Sequence, residues 1–331
     1  MVVREALGAE NLIGIETADG VTLQARTGRD FLPAYGDHVT LHADMAQMHL
    51  FRAADGVASA AAGLAMIRRI LSHLGLILAC LIVLLPILWV FRTSLVPEHD
   101  SYATEIFPAL TLENYQALFG DKNFGRNYLN SLIVAVLSVV LSMPLAAMTG
   151  YAFARFRTGG RLARFATLAS QMLPPVALAL PVFMLYRVTG LTNSLTGLVL
   201  VYSAINLPFL TWILMGFFES IPEDLEGAAM TDGATRWGAF WRIVLPVAAP
   251  GIMAAAVLGF ILSWNEFLFA LILGGSKTAT VPVALAALQT SNGVQISQVS
   301  AGVSLAILPL LIAVRFIQKY LVQGLSFGSV K

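Results

Sequence analysis

The chain is poor in the residues that most protein chemistry relies on. Its 331 residues include one cysteine, Cys80, so no intrachain disulfide can form and the redox compartment is left open. Cys80 sits in an apolar run and reads as a small residue facing lipid or a neighbouring helix. Charged residues make up 12% of the chain, against about 25% in a typical soluble domain. Three of the five histidines, His38, His42 and His49, stand at strand-like spacing with no cysteine near them. They read as solvated surface residues, and no metal site is expected. The run "GGSKT" at 274–278 lacks the leading glycine and the Gly-Lys pair of a phosphate loop. The chain is therefore not expected to bind ATP, and no cofactor is implied.

What the sequence has in quantity is apolar surface. Hydrophobic residues account for 57%, and the mean hydropathy is +0.77. That is the composition of an integral membrane protein. The net charge of +1 conceals an asymmetry. Residues 1–60 hold 4 basic and 8 acidic side chains, and residues 61–331 hold 16 and 11. An acidic first segment argues against nucleic-acid binding.

Residues 1–55 read as a short β-rich piece. "NLIGIETADGVTLQARTG" has two β-favouring runs joined at Asp19-Gly20, a hairpin signal. "GDHVTLHADMAQMHLF" follows with partial alternation. About 55 residues is marginal for an independent core. The Ala/Gly-rich stretch within 56–69 is the linker, and residues 70–331 form the membrane domain, with its core at 128–323. Met66, followed by Arg68-Arg69, is a plausible native start, and the first span lies too far from Met1 for an ordinary cleaved leader.

Six apolar stretches are long enough to cross a bilayer, which takes about 20 residues. They lie near 70–92, 128–153, 164–190, 195–218, 248–273 and 299–323. Backbone groups in hydrocarbon must be satisfied internally, so each is expected to be a helix. Pro86, Pro144, Pro174-Pro175, Pro181, Pro208 and Pro309 inside them predict kinks or local unwinding. With both termini inside, eleven Lys and Arg fall on the cytoplasmic side and five outside. The positive-inside rule favours that orientation. The fold class is an all-α integral membrane protein with six transmembrane helices and a small N-terminal β segment.

The same orientation puts "LEGAAMTDGATRWGAFWRIVLP", residues 225–246, in the cytoplasm. Pro222 marks a helix start, with Glu223, Asp224 and Glu226 in the first turn, where the helix dipole favours them. Asp232-Gly233 breaks that helix. A second helix begins near Thr235, carries Trp237, Phe240 and Trp241, and is expected to end at Pro246. Ala228, Ala229 and Gly233 leave room for a partner to approach closely, as a helix held in a groove requires.

This run resembles the EAA loop of ABC-importer permeases. The family pattern is Glu-Ala-Ala, three residues, Gly, nine residues, then Ile-x-Leu-Pro. Ala228, Ala229, Gly233, Ile243, Leu245 and Pro246 fall on that spacing, and Gly227 stands where the family has Glu. Glu226 lies one residue earlier. "LTLENYQALF" at 110–119, "SWNEFLFAL" at 263–271 and the tail "GLSFGSVK" resemble the second permease of maltose-type carbohydrate importers. The resemblance covers roughly residues 68–331. It implies a type I importer permease in the bacterial plasma membrane, paired with a homologous permease. It also implies an ATPase dimer on the cytoplasmic side and an extracytoplasmic sugar-binding protein. Glu226, Gly227, Ala228, Ala229, Asp232, Gly233, Ile243, Leu245 and Pro246 would then form the coupling loop, and the cargo would be a carbohydrate or polyol. Residues 1–55 resemble the end of the TOBE-type β domain of sugar-importer ATPases, as a fused or misjoined reading frame would leave it.

Asn265 and Glu266 fall well inside the fifth expected span. A polar residue at that depth lines a pathway or fixes helix packing. Asn206 in the fourth span and Gln171 in the third invite the same two readings. The rival functions are an intramembrane enzyme or a self-sufficient secondary transporter using Glu266. No paired catalytic group stands at a helical spacing from it.

Overall fold

A computed structural model describes the backbone of residues 3–6, 10–16, 22–28, 60–101, 109–120, 122–290 and 293–328. Contacts divide the chain into two units, Met1–Leu81 and Ile82–Lys331. In the first, strands β1 (Val3–Ala6), β2 (Glu10–Glu16) and β3 (Thr22–Gly28) form an antiparallel sheet in that order. Glu16 pairs with Thr22, so the tip at Asp19-Gly20 lies between paired strands but outside the described residues. The alternating segment at 36–51, with its three histidines, is outside them too.

The membrane helices come next. Helix α1 (Ala60–Ser94) runs through the boundary between the units, and α2 (Glu113–Gly120) is short. Helices α3 (Phe124–Phe156), α4 (Gly160–Ser170), α5 (Pro175–Thr189) and α6 (Leu195–Ser220) follow. A loop carries α7 (Asp224–Thr231) and α8 (Arg236–Ala239), and a π-helical turn, Phe240–Val244, leads into α9 (Leu245–Trp264). Then come α10 (Leu268–Leu273), α11 (Val281–Ala286), the small β4–β5 hairpin (Gln289–Thr290 and Gly293–Val294) and α12 (Ile296–Gly328).

Among the described residues, five helices are long and apolar enough to span a membrane, and a sixth crossing results if the bent pair α4–α5 counts as one span. Two of the expected continuous spans are broken. The stretch 164–190 bends by 88° between Ser170 and Pro175. Pro174 holds an extended backbone (ψ 124°) and Pro175 opens the next helix, so the α4 hydrogen-bond ladder stops before the pair. The stretch 248–273 breaks after Trp264 and resumes at Leu268. Pro246 also behaves differently from expectation. It ends nothing, because α8 continues through the π-turn into α9, and the Leu245 N–H bonds back to the Phe240 carbonyl. The wider turn relieves the clash between the proline ring and the carbonyl one turn earlier.

The core of the second unit is α3, α6 and α9. Helices α3 and α6 make the most extensive pairing. At their closest approach a Cβ on Gly150 would meet the Met215 nitrogen and the Thr211 oxygen, both at 3.0 Å. At one end Tyr151, Leu210, Leu214, Phe218, Phe240 and Val244 are buried together. Leu118, Phe124, Trp264, Val281 and Leu288 form a second cluster. Along α1, by contrast, Ile82, Val83, Leu85 and Leu88 are exposed, as lipid or a partner helix would require. Gly150→Leu should force α3 from α6. It is expected to cost about 1–3 kcal/mol, the usual range for overpacking, seen as a lower melting temperature of the detergent-solubilised protein.

Candidate functional site

The loop between α6 and α9 is built around one inward-facing carboxylate. Helix α6 ends at Ser220, Ile221 is extended (ψ 125°), and Pro222 precedes α7. Glu226 lies in the first turn of α7 and is buried. Tyr151 Oη donates to Glu226 Oε2 at 2.6 Å, and Arg155 Nε donates to Oε1 at 2.5 Å. Arg155 Nη2 also donates to the Ile221 carbonyl at 2.8 Å. The Arg155 and Glu226 side chains are 7% and 11% exposed. This is therefore a largely desolvated ion pair. Removing one partner of such a pair typically costs about 3–5 kcal/mol, because the other charge is left uncompensated.

Aromatic packing holds the second half of the loop. Phe240 is 1% exposed and lies against Tyr151, with ring centroids 4.6 Å apart, and against Phe218 at 6.3 Å. Arg236 sits over the Phe156 ring at 5.5 Å. Arg164 of α4 donates to the Phe153 carbonyl and pairs with Glu219 at 3.3 Å, tying the ends of α3, α4 and α6 together. Outside this anchored layer the loop is apolar and open. Trp237 is 56% exposed and Trp241 51%, and Leu225 and Met230 are exposed with them.

The motif positions sort by face. Ala228, Asp232, Gly233 and Pro246 are exposed, and Gly227, Ala229, Ile243 and Leu245 are partly so. A Cβ on Gly227 would meet nothing within 4 Å. The family glutamate at that position would therefore project into open space, while Glu226, a third of a turn away, points inward. Gly233 has φ +92°, so it ends α7 in a left-handed conformation that side-chain-bearing residues resist. Thr235 caps α8 by accepting from the Gly238 N–H.

The four polar residues of the expected spans do not converge. Asn206 is buried, and its amide donates to Ser263 Oγ at 2.7 Å. Ser263 Oγ is 2.9 Å from Ser138 Oγ, and Ser203 Oγ donates to the Ser138 carbonyl at 3.2 Å. Asn206 thus belongs to a hydrogen-bonded knot between α3, α6 and α9. Glu266 lies at the α9–α10 break, where its carboxylate accepts from the Phe269 and Ala270 N–H groups at 3.0 and 3.2 Å. It caps α10. Asn265 is exposed beside it. Gln171 is exposed at the α4–α5 bend and donates to the Ile205 carbonyl at 3.0 Å. Sequence reasoning missed Tyr151, Arg155, Ser138 and Ser263. For Tyr151 and Arg155 the available signal was their i, i+4 spacing near the end of a span.

A bundle of apolar spans with an anchored, outwardly apolar loop between two of them is the architecture of an integral membrane protein. Residues 142–327 match the family described as the binding-protein-dependent transport system inner membrane component, and the chain belongs to that family. It is 38% identical over 253 residues to the trehalose transport system permease protein SugB of Mycobacterium tuberculosis, covering 75% of this chain and 92% of that one. It is 34% identical over 271 residues to the trehalose/maltose transport system permease protein MalG of Thermococcus litoralis, covering 80% and 98%. Among solved structures, a bacterial ABC transporter involved in import of the acidic polysaccharide alginate aligns with a TM-score of 0.63 and 25% identity, over 77% of this chain and 96% of that one. The chain is thus an ABC-importer permease, a multi-pass inner-membrane transport subunit and not an enzyme. That removes the intramembrane-enzyme reading of Glu266.

The capping role of Glu266 sets an expectation. Glu266→Ala removes both acceptors and should lower stability by about 0.5–2 kcal/mol, the range for a lost helix cap. Glu266→Gln, which keeps one acceptor, should fall between. Substrate uptake per assembled complex should stay at the native level in both. Reduced uptake with an unchanged melting temperature would put Glu266 on the substrate path instead.

Proposed function

We propose that the chain forms half of the transmembrane path for a carbohydrate or polyol and is driven by an ATPase dimer that docks on α7 and α8. The observation carrying this reading is the two-sided build of the loop. Glu226 and Phe240 anchor it inward, while Leu225, Met230, Trp237 and Trp241 face outward. Exposed tryptophans on a rigid support suit a partner interface. The loop end also gathers Arg155, Arg164 and Arg236, which under the positive-inside rule supports reading that end, and both termini, as cytoplasmic. A homologous permease completes the path, and an extracytoplasmic binding protein delivers the cargo. The substrate class follows the relatives, whose names give trehalose, maltose and alginate. Asn265 and Gln171, exposed at the two helix breaks, are the path residues this reading favours, with Asn206 and Glu266 in supporting roles. Uptake of labelled trehalose, maltose and sugar alcohols, in cells with and without this chain, tests the cargo.

Docking is tested on an exposed residue free of backbone strain. Ala228→Arg places a charge on the outward face of α7 and leaves the buried anchors alone. A misplaced charge in an interface costs several kcal/mol, so ATPase association should weaken by roughly tenfold or more. The measurement is the amount of ATPase co-purified with the permease. Undiminished co-purification and uptake would remove the loop from the docking surface.

Residues 1–55 are read as a separate TOBE-like β domain on a linker, 56–69, ahead of the permease domain 70–331. The three-stranded sheet and the acidic balance support this. A chain beginning at Met66 is therefore expected to insert, assemble and transport within about twofold of the full-length chain, since a domain this small is marginal by itself. Lost uptake at equal membrane abundance would make the segment a working part of the transporter.

A further inference from the structure

The loop has one soft place and one stiff one. Helix α7 is not continuous with either neighbouring span. Toward α6 the chain is extended at Ile221 and passes through Pro222. Toward α8 it turns at Gly233, with φ +92°. Beyond α8 comes a π-turn, a geometry frequent at functional sites. Across to α3, however, α7 is held by the carboxylate of Glu226, with one oxygen on Tyr151 and the other on Arg155. Tyr151 and Arg155 lie one turn apart on α3. The second arm of Arg155 holds the Ile221 carbonyl, so the same guanidinium also fixes the entry to α7. Pulling α7 from α3 would leave a charge stranded in a buried site, which such a pair strongly resists. A change of turn at Gly233 gives up only the Gly233–Met230 and Ala234–Ala229 backbone bonds, neutral groups at an exposed turn where water can replace them.

We propose that Glu226, Arg155 and Tyr151 form the joint that passes movement of α7 to α3, so that the two move as one body while the loop flexes at Gly233. Arg155 and Tyr151 are then positioning residues for ATP-driven transport. This rests on the docking of an ATPase on α7 and α8 proposed above. Helix α3 is a fitting recipient. It runs for 33 residues, and its pairing with α6 is the most extensive in the unit. A push at its end therefore reaches the whole core.

The test uses the full complex reconstituted in proteoliposomes, with uptake and ATP hydrolysis measured together. The decisive variant is Arg155→Gln combined with Glu226→Gln. Removing both charges avoids a stranded ion, so folding and ATPase association should be retained. Uptake per ATP hydrolysed should fall about threefold to thirtyfold, the span of typical coupling losses. Tyr151→Phe should show a smaller fall in the same direction. Normal uptake per ATP in the double variant would mean the pair is only a folding strut, and the proposal would be overturned. A second readout needs no change to the joint. Spin labels at Thr158→Cys and Thr231→Cys, in a Cys80→Ser background, report the separation of the α3 end from α7. In the native joint this separation should be the same in nucleotide-free and ATP-trapped complexes, and in the double variant it should differ. A native separation that changes between the two states would also overturn the proposal. Failure of docking itself is seen separately, as undiminished ATPase binding by Ala228→Arg.

Discussion

An arginine and a glutamate taken out of water together set the geometry of the loop end. Each ion loses several kcal/mol of hydration on burial, and their attraction offsets this only when the remaining lone pairs and protons are also used. Here they are. Both Glu226 oxygens have donors, and Arg155 has a carbonyl for its second arm. The buried Phe240 ring packs on Tyr151 and helps keep water from the pair. Because Glu226 must point inward, α7 can take only one rotation about its axis. That rotation turns Gly227, Ala228 and Met230 away from the core. The apolar outer face and the buried ion pair are thus two consequences of one constraint.

Side-chain hydrogen bonds also meet backbone groups at several of the irregular helix ends. Asn114 of α2 donates to the Ser94 and Val96 carbonyls as α1 ends. Asn130 of α3 donates to the Lys277 and Ala279 carbonyls, and Ser131 accepts the Val281 N–H at the start of α11. Glu98 accepts the Ser297 and Gln298 N–H groups at the start of α12. Glu266 does the same for α10. Non-helical backbone inside a membrane protein is tolerated on these terms, buried in protein with its groups bonded.

These rules explain what could be read from the sequence. Hydropathy located α3 and α6 to within a few residues, because an apolar stretch of that length has no other stable home. The loop's first helix and its glycine stop were also legible, since acidic first-turn residues and Asp232-Gly233 act locally. The breaks were not. Composition averages over a span, and nothing in a hydropathy window separates a kink at Pro174-Pro175 from the 88° bend found there. Glu266 stood out as an ionisable residue deep in a span. Once the span is known to break at Asn265, the same residue becomes a cap. The partners of Glu226 lie 71 and 75 residues earlier in the chain. Their i, i+4 spacing marks a helix face but does not say what that face meets.

The distribution of small polar residues separates the rigid from the yielding parts. Ser138, Ser203, Asn206 and Ser263 knot α3, α6 and α9 at one level, and Gly150 lets α3 and α6 touch backbone to backbone at another. Close backbone approach and interhelical hydrogen bonds are what hold helices together in lipid, where no hydrophobic force does so. Among the described residues no side-chain knot of this kind joins α5 to α10, although the Asn193 N–H bonds the Leu273 carbonyl at the end of α10. These two helices pack on each other and on α6 through Tyr186, Leu198, Tyr202, Phe269 and Leu273, all large side chains. Large side chains resist separation, but they can repack at lower cost than a satisfied hydrogen-bond knot can be undone. On the proposed function, the core of α3, α6 and α9 is therefore the body that carries motion from the loop. The same proposal makes the segments beyond the breaks at Pro174 and Asn265 the parts that rearrange around a substrate. It would set Gln171 and Asn265 where rigid and yielding parts meet.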